Sequence, residues 1–124
     1  MKNKISHTIK FIFFIVNIFF FSSFIYADEF EISAQKIEVD NKDETIFAEG
    51  DVIAISDDGL IINAQEVTYN KKNNTLEAKK SVIVKDESSG SQIRGENILL
   101  DKEKGEIVSF GKTFIFFKDN YNIV

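Results

Sequence analysis

The chain has 124 residues and a formal net charge of −5, enough for one domain and too acidic to seek a phosphate backbone, so nucleic acid is not expected as a partner. With no Cys there is no disulfide framework, and the single His falls at position 7, so Ser–His or Cys–His nucleophiles and a zinc site of imidazole or thiolate ligands are excluded from everything downstream.

Residues 1–27 read as an export leader. Lys2, Lys4 and Lys10 precede a run over 11–27 that carries no charge, and Ala27 suits the position before a cut, although Ile25 two places earlier is bulky. Seventeen uncharged residues also reach the lower limit for crossing a bilayer, so an uncleaved anchor is the alternative. Either reading puts residues 28–124 outside the cytoplasm as one domain. Without the leader, twelve basic side chains remain against twenty acidic ones.

The rest of the chain repeats itself at a period of about thirty residues. "ISAQKIEVDNKDETIFAEGDVIAISDDG" starts at Ile32, "INAQEVTYNKKNNTLEAKKSVIVKDESSG" at Ile62 and "IRGENILLDKEKGEIVSFGKTFIFFKDN" at Ile93. Within each unit apolar and polar residues alternate with the period of a half-buried strand. Ile32 and Ala34 share one parity and Ile37 and Val39 the other, so a bulge or sharp bend is expected inside "AQKI", and likewise inside "AQEV" and "GENI". Polar clusters over 40–44, 70–74 and 101–105 read as hairpin turns. A short strand follows each turn ("TIFAEG", "TLEAKK", "EIVSFG"), then a second reversal and a further strand ("VIAI", "VIVK", "TFIFF"). The chain should therefore be all-β. One unit cannot bury its apolar face alone, and three stacked units make one continuous interior.

The chemistry available is limited to carboxylates and apolar surface. Asp57-Asp58-Gly59 could be half of a calcium loop, but it lacks the alternating oxygen ligands and the closing Glu, and Asp-Gly is a strong turn signal. Acidic pairs acting on an envelope polysaccharide would need two carboxylates across one cleft, whereas these sit at loop tips, so no enzyme and no cofactor is expected. The apolar face remains. From the first unit Ile37, Val39, Ile46, Ala48, Val52 and Ala54 should point inward. The second contributes Ile62, Ala64, Val67, Tyr69, Leu76, Ala78, Val82 and Val84, and the third Ile98, Leu100 and Ile107. They form either a closed core or a trough for acyl chains, where each buried methylene contributes about 0.8 kcal/mol. Both faces of "TFIFF" are apolar, and "NYNIV" has the look of a fourth unit beginning.

Ala48 to Val52 ("AEGDV"), followed by "GLIINAQEVTYN" and "GSQIRGENILLD", resembles the OstA-like domain of the lipopolysaccharide-transport proteins over residues 30 to about 118. That resemblance implies an open β-jelly-roll in the periplasm whose interior carries lipid A acyl chains. It also implies head-to-tail pairing of edge strands with other OstA-like domains, and it puts Ala34, Ala64 and Gly95 at the bends. A structural envelope protein that assembles through its edges without lipid is the competing expectation.

Overall fold

The computed structural model describes residues 29–118 together with the backbone of 23–26. Nine strands follow in chain order: β1 (Ser23–Tyr26), β2 (Phe30–Ala34), β3 (Lys36–Asp40), β4 (Thr45–Ser56), β5 (Leu60–Asn70), β6 (Thr75–Asp86), β7 (Gln92–Asp101), β8 (Glu106–Phe110) and β9 (Phe114–Phe116). All pair antiparallel in one open sheet of order β1-β2-β4-β5-β6-β7-β8, with β3 beside β4 and β9 beside β7. No helix occurs among the described residues. Most of the expected leader, and the 119–124 segment read as a fourth unit, lie outside the described residues. Residues 23–26, within the expected leader, form β1, which pairs with β2 from Ser23–Ala34 to Tyr26–Glu31.

The three expected hairpins share one turn chemistry. Asp40 accepts backbone N–H bonds from Lys42 (3.0 Å) and Asp43 (3.2 Å), Asn70 accepts one from Asn73 (3.1 Å), and Asp101 one from Lys104 (3.0 Å). Each turn closes on a left-handed residue, Glu44, Asn74 or Gly105. An Asx side chain opening the turn and a positive φ ending it form a standard route into a hairpin. The turns also stack, since Lys71 donates its N–H to the Glu44 carbonyl and Lys102 to that of Asn74.

The parity switch falls where expected, but its construction differs from the sequence reading. On β5 the buried residues change from Ile62 and Ala64 to Val67 and Tyr69 across Gln65, and the register slips between Asn63 and Glu66. The extra residue sits on the neighbouring strands. Gly50 and Asp51 together oppose Gln65, and Lys80 and Ser81 together oppose Glu96. Gly50, Asp51, Lys80, Ser81 and Gly111 all have positive φ. Two left-handed residues bend a strand sharply while preserving its parity, and the single residue opposite must change its own. The expected second reversal is therefore absent from the first two units. "TIFAEG" and "VIAI" are one strand, β4, and "TLEAKK" and "VIVK" are one strand, β6. Only in the third unit does the chain break, at Gly111, into β8 and β9, and both remain paired to β7.

These bulges line up into a corner that divides the sheet into two halves. The upper half holds β1, β2, β9 and the adjoining ends of β4 to β7, and the lower half holds β3, β8 and the other ends. The halves meet face to face, with the Phe30 ring of the upper half edge-on to Tyr69 of the lower at 5.1 Å between centroids. Small residues make the approach possible near the corner. A Cβ on Gly95 would stand 2.8 Å from the Ser109 Oγ.

Candidate apolar interior and its edges

The inner face is built by alternation. Ile46 and Ala48 on β4, Val67 and Tyr69 on β5, Leu76 and Ala78 on β6, and Ile98 and Leu100 on β7 line the lower half, none more than 2% exposed. In the upper half Val52, Ala54, Ile62, Ala64, Val82 and Val84 are buried to 4% or less. Three residues absent from the expected set join them, Phe30, Ile32 and Ala34 of β2. Ile32 and Ala34 carried a signal, since both recur in the repeat; Phe30 lies before the first unit and had none. Leu60 and Ile93 pack against this cluster half-buried.

Ile37 is half-buried against the cluster, but Val39 and Ile107 are not interior residues in the sense expected. They are 45% and 41% exposed. Both nevertheless point to the inner side, because Val39 stands opposite Ile46 and Ile107 opposite Leu100, and directly opposed residues share a face. Each lies on an outermost strand of the lower half, with no further strand beside it among the described residues. The register also resolves "TFIFF". Ile115 stands opposite Ile93 and faces inward, 56% exposed, whereas Phe114 and Phe116 face outward opposite Arg94 and Gln92.

Opposite the corner, the turn tips of the two halves are tied together by one lysine. Lys102, its side chain only 13% exposed, contacts Asp58 at 2.8 Å, Asp57 at 3.2 Å and Glu29 at 3.6 Å, and lies 5.9 Å from the centre of the Phe30 ring. Burial by itself would lower the Lys102 pKa, but the bonds to Asp58 and Asp57 outweigh it and hold the ammonium above its ordinary value. The Lys102 bond, helped by the Ser56 hydroxyl, holds Asp58 below the usual carboxylate range. Ser56, the one buried polar residue among those described, also accepts the Leu60 N–H at 2.9 Å. "SDDG" is thus a turn and one side of a latch.

Among the described residues no group of three or more carboxylates is placed to hold a metal ion. What the arrangement offers is an apolar interior filled by its own side chains, closed at one end by the corner and at the other by the latch, with exposed apolar residues along two edges. No protein-family model matches the chain, and no curated protein matches it closely enough to count as a relative.

Proposed function

We propose that this is an open β-jelly-roll module of the lipopolysaccharide-transport type, exported to the periplasm, which holds lipid A acyl chains between its two half-sheets and joins edge to edge with similar domains. The observation that carries the reading is the inner face at the sheet edges. A core serving stability alone is expected to end in polar residues at an exposed edge. Here the apolar row continues outward to Val39 on one side and Ile107 on the other, both solvent-exposed. A row of that kind can continue across a paired partner strand, or receive an acyl chain sliding in from the edge.

Close packing of the interior, with Ile32, Ile46, Ile62, Leu76 and Ile98 all at 0–1% exposure, favours one competing reading, edge assembly without lipid. Lipid loading would require the half-sheets to part at the Lys102 latch. The two readings separate by mass spectrometry of organic extracts from protein purified out of the envelope. Acylated lipid should accompany the wild type, and Val39→Asp or Ile107→Asp should reduce it at least several-fold, because a carboxylate there meets the sliding chain without entering the packed core. Lys71→Asp at a solvated turn should change nothing. Wild-type protein that carries no acylated lipid and cannot be loaded with lipopolysaccharide would leave only the edge-assembly reading.

A further inference from the structure

The two outer faces of the folded sheet differ in charge. In the lower half, the two outward rows next to the corner run Lys36-Glu49-Glu66-Lys79-Asn97-Phe110 and Glu38-Phe47-Thr68-Glu77-Leu99-Val108, so that four carboxylates and two lysines surround the exposed Val108 and Phe110. In the upper half the equivalent rows run Ser33-Ile53-Asn63-Ile83-Arg94-Phe114 and Glu31-Ile55-Ile61-Lys85-Gln92-Phe116, with Glu31 their single acid. Ile53 is 40%, Ile55 41%, Phe114 51% and Phe116 48% exposed, although their neighbours Val52 and Ala54 are fully buried on the other side. Cations stand among these rings. Arg94 lies 5.3 Å from the centre of Phe116, and Lys112 5.5 Å from that of Phe114. Between them a shallow, mainly apolar groove of about 290 Å³ is lined by Ser81, Val82, Ile83, Gly95 and Phe114 together with two cations, Arg94 and Lys112, and one carboxylate, Glu96.

We propose that the outer face of the upper half-sheet docks on an anionic lipid bilayer, with Ile53, Ile55, Phe114 and Phe116 entering the headgroup boundary and Lys85, Arg94 and Lys112 meeting lipid phosphates. Aromatic and aliphatic tips interleaved with cations match that interface, and the acidic chain as a whole does not. The charge on the opposite half turns that face away from the same surface. Residues 23–26 of the uncharged run over 11–27 form β1, the strand that extends the upper half. The surface is distinct from the apolar interior and does not depend on what the interior carries.

The chain contains no Trp, so a single introduced one reports its own surroundings. The full chain is reconstituted with vesicles of phosphatidylethanolamine and phosphatidylglycerol containing brominated acyl chains, with Trp placed at Phe114→Trp on the upper outer face or at Val108→Trp on the lower. Any tethering by the N-terminal run is common to both variants. Quenching should be at least about threefold stronger for Phe114→Trp, and should fall to the Val108→Trp level when Arg94→Glu and Lys112→Glu are added or when phosphatidylcholine replaces the anionic lipid. Equal quenching at the two positions would overturn the proposal. So would a Phe114→Trp emission shift that follows protein concentration without lipid, which would make a second copy the occupant.

Discussion

Gly50 and Gly95 show how closely the corner is fitted at the scale of single atoms. A Cβ on Gly50, at φ +86°, would stand 2.5 Å from the Gln35 Oε1, and one on Gly95 2.8 Å from the Ser109 Oγ. Alanine at either position should destabilise the protein by about 1–3 kcal/mol, through strain at the first and crowding at the second. Urea denaturation measures this, and Gly95→Ala combined with Ser109→Ala should recover most of its own loss. Lys80 poses the inverse case. It occupies the place of Gly50 in the next unit with φ +68° and keeps only an exposed ion pair to Glu66 at 3.3 Å. Such a pair contributes little, whereas a side chain in the left-handed region costs about 1 kcal/mol. Lys80→Gly should raise stability by about 0.5 kcal/mol, the remainder being lost to the freer unfolded chain. An unchanged or lowered urea midpoint would contradict the strain argument.

At the scale of elements, the outermost strands decide how the protein meets its partners. Among the described residues β3 and β8 each pair on one side alone, and each presents an apolar inner-facing residue, Val39 or Ile107. Strand edges of this sort can add strands from other chains, and a contact between two different edges has no symmetry to close it. Light scattering of the wild type should therefore give an average mass that rises with concentration. Val39→Lys and Ile107→Lys should each hold it near the monomer without changing the urea midpoint by more than about 0.5 kcal/mol, since both sites are exposed. A concentration-independent monomer for the wild type would remove head-to-tail assembly from the proposed function. The same scale explains why the second reversal expected in each unit does not occur. "AEGDV" and "AKKSV" contain the residues of a turn, yet two consecutive left-handed residues between paired flanks bend a strand without ending it. Only long-range pairing on both sides distinguishes these outcomes, and a local sequence does not contain it.

For the whole molecule, the Lys102 latch couples the half-sheets and sets a pH window. Asp58 is held below its ordinary 3.8, so its contribution is complete above that value and is lost as pH falls through the depressed one. Lys102 is held above 10.5, so its contribution is complete below that value and is lost as pH rises through the raised one. Lys102→Met should cost about 1 kcal/mol near neutrality, because its partners are themselves largely exposed. The difference between the variant and wild-type urea midpoints should shrink as pH falls below 3.8 and Asp58 takes up its proton; a difference unchanged through that fall would show that packing on Phe30, and not charge, carries the latch. The sequence by itself determined the all-β class, the three hairpin turns and fourteen of the buried interior residues, because period-two alternation and turn chemistry are local and a repeat writes them three times. It also located the parity switch at Gln35, Gln65 and Glu96. Only the tertiary structure decided which strands carry the extra residues, that the sheet folds at that line until Phe30 meets Tyr69, and that Lys102 ties the far ends together. It also decided that Val39 and Ile107, inward by parity, stay in solvent. Alternation fixes the face toward which a side chain points, but burial requires a neighbour to cover it, and at the outermost strands of the sheet the described residues supply none.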